Sequence, residues 1–120
     1  MLPQVFAFDV DDTLEVAGGP VAVDSLRALV EAGHVVGLCG NWAALVRVVP
    51  DWHRFVAFLG PFHVTKAEFL IQIRQHVPAS GFVLVGNYPE TGLGSSEDRA
   101  AAQQAGWRFL LEREFAAGQR

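Results

Sequence analysis

Short apolar runs alternate along this chain with longer segments whose apolar residues recur at helical spacing. The apolar runs predict five buried strands, at residues 5–8, 35–39, 55–59, 82–85 and 107–111. Periodicity and capping residues predict four helices between them, at residues 23–32, 41–49, 65–76 and 96–105. Strands that alternate with helices predict a three-layer Rossmann-like α/β fold, with a mainly parallel five-stranded sheet and helices on both faces.

The size and composition of the chain favour a single domain spanning residues 1–120. Its 120 residues are 51% hydrophobic and 18% charged, which is an ordinary balance for a globular domain. The net charge of −4 and the scattered arginines argue against binding to a nucleic-acid backbone. The single cysteine, Cys39, cannot form an internal disulfide, and the apolar start is interrupted by Asp9, so we expect a cytoplasmic protein with no membrane partner.

Polar residues cluster where the predicted strands end. Ligands of open parallel sheets bind beyond the carboxyl ends of the strands. In this chain that rule selects four loops, at residues 9–13, 39–41, 60–66 and 86–98. The functional prediction therefore depends on what these loops can do together.

The first loop carries three carboxylates, those of Asp9, Asp11 and Asp12, directly after an apolar strand. Like charges at this spacing repel by roughly 1 kcal/mol per pair in water and by more near a protein interior. The cluster therefore favours either a bound cation or a raised pKa on one of its carboxyl groups. For a cation, hard oxygen ligands suit Mg²⁺. The alternative is a solvated acidic turn in which Asp12 and Thr13 cap backbone groups.

Lys66 is the only lysine of the chain, and it follows Thr65 in the first turn of a predicted helix. The helix dipole disfavours a cation there. A compact ammonium at an unfavourable position indicates a functional partner, either a phosphoryl group or the Asp9 carboxylate. The alternative is an exposed lysine that happens to begin a helix.

The sequence Asp9-Val-Asp11-Asp12-Thr13-Leu14 after an apolar strand resembles the first signature of the haloacid dehalogenase-like (HAD) hydrolases, and Lys66 resembles their third. The resemblance implies a HAD-like fold and a Mg²⁺-dependent phosphatase. It implies that Asp9 is a nucleophile that forms an aspartyl-phosphate, and that Asp11 is the general acid and base and also offers its backbone carbonyl to the metal. Lys66 would neutralise developing charge as a third catalytic residue.

Two other signatures differ from the pattern of the family. Gly40 stands where a Ser or Thr is expected, and the backbone N–H groups of Gly40 and Asn41 could still bind phosphate together with Lys66. The alternative is a glycine turn in which Asn41 caps the next helix. Asn87 stands where an acidic residue is expected. The resemblance then implies a metal site with the ligands Asp9, Asp11, Asn87 and Asp98. Glu90 and Glu97 remain alternatives to Asp98. Asp98 also suits the first turn of a helix, where an acidic residue is stabilised without a metal.

The intervals between these signatures leave no room for an inserted cap domain. An uncovered site predicts either a large phosphorylated substrate or closure by a second copy of the chain. The leading hypothesis is therefore a capless Mg²⁺-dependent phosphatase of unidentified substrate. Gly40 and Asn87 favour the alternative, a catalytically weak or inactive phosphate-binding or interaction module on the same fold. A phospho-acceptor receiver domain is disfavoured, because Phe58-Leu59-Gly60 ends the third strand without an aspartate.

Overall fold

The computed structural model describes residues 2–87 and 98–120, in which five strands form one parallel sheet. The strands are β1 (Gln4–Phe8), β2 (Val35–Cys39), β3 (Phe58–Gly60), β4 (Gly81–Gly86) and β5 (Arg108–Leu111). Their order in the sheet is β3-β2-β1-β4-β5, and every pairing between neighbours is parallel. The predicted α/β architecture with a parallel five-stranded sheet is confirmed.

Helices cover both faces of this sheet. They are α1 (Val23–Glu31), α2 (Trp42–Val46), α3 (Lys66–His76), α4 (Asp98–Ala105) and α5 (Glu112–Ala116). Buried side chains of α1, α2 and α5 belong to one apolar cluster, and those of α3 and α4 belong to a second cluster on the opposite face. These clusters complete the three layers of a Rossmann-like fold.

The central strand β1 is buried on both of its faces. Phe6 and Phe8 pack in the first cluster, whereas Val5 and Ala7 pack in the second. Side chains alternate between the two faces of a strand, and a parallel sheet covered on both sides needs apolar residues at consecutive positions. The chain leaves this strand at Asp9, so the first acidic residue lies at the middle of the carboxyl edge of the sheet.

Apart from shifts of one residue at element ends, the main differences from the predicted elements concern β3, α2 and α5. Residues 96 and 97, the predicted start of the fourth helix, lie outside the described residues. β3 begins at Phe58 rather than at residue 55, because Phe55 and Val56 donate their N–H groups to Trp52 and close a 3₁₀ turn. α2 ends at Val46 rather than at residue 49. α5 was not predicted from the sequence, and its buried Phe115 makes edge contacts with the rings of Phe6 and Phe8.

No helix within residues 2–87 and 98–120 combines the length and the apolar character needed to cross a membrane.

Candidate functional site

Asp9 lies directly beyond the end of the central strand, between the two neighbouring strands. Its backbone N–H donates to Val85 of β4 at 2.9 Å, which continues the ladder of the sheet by one residue. Only 8% of its side chain is exposed, and its Oδ1 lies 3.1 Å from the Nζ of Lys66. The structure thus places the first residue of the acidic turn beside the only lysine of the chain.

Lys66 reaches this position from the first residue of α3. Thr65 caps the helix by accepting a hydrogen bond from the backbone N–H of Glu68 at 3.1 Å, so the predicted start of the helix is confirmed. The Nζ of Lys66 also donates to Oδ1 of Asp98 at 2.6 Å. One ammonium therefore links two carboxylates that come from opposite ends of the chain.

Asp98 is the first residue of α4, and its side chain is fully buried. Its Oδ2 accepts the backbone N–H of Asn87 at 3.3 Å, while its Oδ1 accepts from Lys66. Both carboxylate oxygens are thus occupied by donors of the protein. The implied role of Asp98 as a metal ligand stays a prediction, and Asp98 in this arrangement fixes Lys66.

Burial and charge shift the pKa values of the two groups in contact. Burial and the charge of Asp98 raise the pKa of Asp9, Lys66 lowers it, and the net result is a pKa of about 6. Burial alone would lower the pKa of Lys66, but the charges of Asp9 and Asp98 outweigh burial and hold that pKa above its usual range. Two carboxylates share one ammonium, which leaves the cluster with excess negative charge.

The carboxyl group of Asp9 is expected to titrate near pH 6 in metal-free protein, well above its ordinary value of 3.8. Because the folded state binds this proton more tightly than the unfolded chain does, Asp9 stabilises the fold fully below about pH 4, and this contribution disappears as the pH rises through about 6. Carbon-detected NMR of the side-chain carboxyl groups in chelator measures the titration.

The Asp98→Asn variant is the matched test of this electrostatic explanation. It removes the negative charge that raises the pKa of Asp9 and leaves Lys66 to pair with Asp9 alone, so the Asp9 titration should move to lower pH. An Asp9 carboxyl that titrates at its ordinary value in the unmodified protein contradicts the predicted shift.

Two positions beside the site must be glycine because a carboxylate lies against the backbone at each of them. A Cβ at Gly40, whose φ is +148°, would lie 2.5 Å from Oδ1 of Asp9. A Cβ at Gly86 would lie 2.4 Å from Oδ2 of Asp98. The glycine that replaces the expected hydroxyl at residue 40 therefore lets Asp9 approach the end of β2.

The side-chain amide of Asn87 joins the first loop to the end of β4. Its Nδ2 donates to Oδ2 of Asp9 at 3.1 Å and to the backbone oxygen of Asp11 at 2.7 Å. The hydroxyl oxygen of Thr13, which is fully buried, lies 3.3 Å from the same nitrogen. Asn87 was predicted as an oxygen ligand, whereas here its side chain is a hydrogen-bond donor. Thr13 was not among the predicted site residues.

Asn41 contacts the second aspartate of the loop. It precedes α2 as expected, but its side chain makes no capping hydrogen bond, and its Nδ2 donates instead to Oδ1 of Asp11 at 3.1 Å. The backbone N–H of Gly40 donates to Gly60 of β3 at 2.8 Å, so this predicted phosphate donor is already paired. Phosphate binding by Gly40 and Asn41 stays a prediction.

The acidic loop adopts a tight turn that presents these oxygens. The N–H groups of Thr13 and Leu14 both donate to the carbonyl of Val10, and Asp12 takes a left-handed φ of +59°. Aspartate tolerates this conformation better than most residues do. The turn thus brings the backbone oxygen of Asp11 and the hydroxyl of Thr13 to the side of the loop that faces Asn87.

Cys39 ends β2 without contributing a reactive group to the site. It is fully buried within the cluster that includes α3 and α4. Burial raises the pKa of its thiol to about 12, so the thiol is protonated at neutral pH. A packing role therefore agrees with its environment.

Comparison with protein-family models, curated proteins and solved structures finds no match to this chain. The resemblance to the HAD-like hydrolases thus rests on the sequence motifs alone and stays a prediction. Glu90 and Glu97, the alternatives to Asp98, lie outside the described residues.

The described residues offer oxygen atoms rather than a ready group of metal-binding side chains. Among residues 2–87 and 98–120, no three His, Cys, Asp or Glu side chains gather as a metal site. The oxygens that converge are Oδ2 of Asp9, the carbonyl of Asp11 and the hydroxyl of Thr13. Such hard, mostly neutral donors fit Mg²⁺ in kind, and the carboxylate and the carbonyl would be its principal ligands.

Proposed function

We propose that this protein is a phosphohydrolase of phosphate monoesters that acts through an aspartyl-phosphate on Asp9. The observation that supports the proposal best is the contact between the mostly buried carboxylate of Asp9 and the Nζ of Lys66 at 3.1 Å, at the carboxyl end of the central strand. Asp11 lies two residues further along the same turn. A carboxylate nucleophile, a neighbouring cation and a second carboxyl group are the parts that this chemistry needs.

In the first step, a carboxylate oxygen of Asp9 bonds to phosphorus as the bond between phosphorus and the leaving oxygen breaks. The carboxylic acid of Asp11 gives its proton to the departing oxygen, which leaves as an alcohol. In the second step, Asp11 takes a proton from water as the water oxygen bonds to phosphorus. The bond between phosphorus and Asp9 then breaks, which restores the carboxylate and releases inorganic phosphate.

Neighbouring residues hold the two aspartates for these steps. Asn41 donates to Oδ1 of Asp11 at 3.1 Å and limits the positions of the proposed acid. Lys66 faces Oδ1 of Asp9, where its charge stabilises negative charge on a transferring phosphoryl group. The short contact with Asp98 keeps Lys66 protonated and oriented.

The proposal includes Mg²⁺, held by the carboxylate of Asp9, the backbone carbonyl of Asp11 and the amide oxygen of Asn87. When bound, the ion supplies positive charge that stabilises the transferring phosphoryl group. Asp98 accepts hydrogen bonds from Lys66 and Asn87 and would hold these two residues in position without binding the ion itself. The substrate that we propose is a large phosphate ester, or one enclosed by a second copy of the chain, because within residues 2–65 α1 and α2 are the only helices of four or more residues.

The test of the proposal is chemical trapping of the acyl phosphate. Protein that is turning over p-nitrophenyl phosphate with millimolar Mg²⁺ is quenched with borohydride, which reduces an aspartyl-phosphate to homoserine. Peptide mapping by mass spectrometry should find homoserine at residue 9 and unmodified aspartate at residue 12. Turnover without homoserine at residue 9 contradicts the mechanism.

A specific observation favours the second candidate, a phosphate-binding module without turnover. Residue 40 has no hydroxyl, and its backbone N–H is paired with Gly60. The amide of Asn87 also donates directly to Asp9. Binding of inorganic phosphate in a calorimeter, with neither p-nitrophenol release nor a trapped intermediate, supports this second candidate.

A further inference from the structure

The amide nitrogen of Asn87 lies in an environment that is richer in acceptors than a side-chain amide needs. Three oxygens surround it, at 3.1 Å from Asp9, 2.7 Å from Asp11 and 3.3 Å from Thr13. An amide nitrogen carries only two hydrogens, so the three oxygens cannot all receive a well-directed hydrogen bond. A carboxylate, a carbonyl and a hydroxyl that converge on one atom form a position suited to positive charge.

We infer that the NH₂ group of Asn87 occupies the position at which a divalent cation would bridge Asp9 and the carbonyl of Asp11, so that the amide and the cation compete. The competition follows from geometry. The NH₂ group donates to the two oxygens that would be the principal ligands of a cation. The NH₂ group and the cation cannot occupy the same point. Binding of a cation therefore requires the amide to turn about its terminal torsion and to offer its oxygen.

This arrangement makes the occupancy of the site depend on residue 87. Without a cation, the amide satisfies Asp9 and Asp11 and the site is stable by itself. Cation binding breaks those hydrogen bonds and gains a neutral ligand rather than a charged one, so affinity is low. The inference rests on the proposed function in treating the cation as part of the site, and it concerns binding rather than turnover.

The Asn87→Asp variant tests the competition. It removes the NH₂ group and adds a carboxylate, so Mn²⁺ affinity measured by calorimetry or by electron paramagnetic resonance should rise at least about tenfold. In chelator, the carboxylate at residue 87 faces the carboxylate of Asp9, so this variant should melt at a lower temperature than the unmodified protein. Mn²⁺ should restore the melting temperature.

The chain supplies a matched control, because its two asparagines are Asn41 and Asn87. Asn41→Asp adds the same charge to the same site, but Asn41 contacts Oδ1 of Asp11 and neither of the oxygens that the cation would share. Its affinity for Mn²⁺ should rise far less. Equal increases in the two variants would mean that general charge sets the affinity, and they would overturn the inference. A variant at residue 87 that binds Mn²⁺ no more tightly, or that no concentration of Mn²⁺ refolds, would overturn it as well.

A second measurement uses the unmodified protein. The side-chain NH₂ of Asn87 should exchange slowly with solvent in chelator, since it is hydrogen bonded, and saturation with Mg²⁺ should remove this protection. Nitrogen-edited NMR resolves the signal, and the Asn87→Asp spectrum assigns it by its absence. Mg²⁺ saturation with unchanged protection contradicts the inference. These readouts need no substrate, so a failure to trap phosphate on Asp9 leaves them interpretable.

Discussion

Replacing Lys66 with methionine is expected to destabilise the fold at neutral pH by about 3–5 kcal/mol, because it leaves two buried carboxylates without their shared cation. Side-chain exposure is 8% for Asp9 and 0% for Asp98, so water cannot replace the lost ammonium. Because Lys66 itself is 27% exposed, the destabilisation by Lys66→Met should lie near the lower end of the expected range. Total stability of a domain is only about 5–15 kcal/mol. Urea denaturation followed by circular dichroism measures the change.

Charge, rather than lost packing, should account for this effect. The loss should be smaller near pH 5, since protonation of Asp9 relieves the repulsion with Asp98. The double variant Lys66→Met with Asp98→Asn should be more stable than Lys66→Met alone. Arg47→Met is the surface control, because exposed Arg47 donates to the backbone carbonyl of Ala43 within its own helical turn. The cost of this variant should stay within about 0.5 kcal/mol. Equal stability of Lys66→Met and the unmodified protein at neutral pH would show that the ammonium does not hold this site together.

Asp9→Asn is expected to lower kcat/KM for p-nitrophenyl phosphate at least about a thousandfold, because an amide cannot form the acyl phosphate. The variant should still fold, since a neutral amide is less costly to bury than a carboxylate whose pKa is raised to about 6. Steady-state release of p-nitrophenol measures the rate, and a thermal melt checks the fold. The loss of rate can then be assigned to chemistry.

Asp12→Asn is the matched control for the nucleophile. Asp12 belongs to the same turn and is exposed, and its left-handed φ of +59° is one that asparagine also adopts readily. This variant removes the same charge three residues from Asp9 and should keep the rate of the unmodified protein. If Asp9→Asn turns over substrate as fast as Asp12→Asn does, Asp9 is not the nucleophile.

The sequence predicted the sheet well because burial on two faces leaves a clear pattern. Runs of consecutive apolar residues predicted the ends of β1, β2 and β4 to within one residue. The start of β3 was misplaced because Phe55 and Val56 are as apolar as strand residues but are buried in a 3₁₀ turn. α5 has one buried residue, Phe115, which is too little to produce a periodic signal.

The position of the candidate site also followed from the sequence, whereas its hydrogen bonds did not. An acidic turn after the first strand and a lone lysine at a helix start were enough to predict that Asp9 and Lys66 share an edge of the sheet. Whether the amide of Asn87 presents its oxygen or its nitrogen depends on which atoms residues 11–13 bring near it. The positions of those atoms are set by the turn and by pairing between distant strands, and neither can be predicted from the local sequence.

The place of β1 in the sheet also has a consequence for biosynthesis. β1 leaves the ribosome before the other four strands of this sheet, yet residue 4 pairs with residue 81 of β4, so one edge of this apolar strand stays unpaired until residues 81–86 have been made. An uncovered apolar edge is a template for pairing with other nascent chains. Slowing translation before residues 81–86 would prolong that exposure, whereas slowing it after them would not.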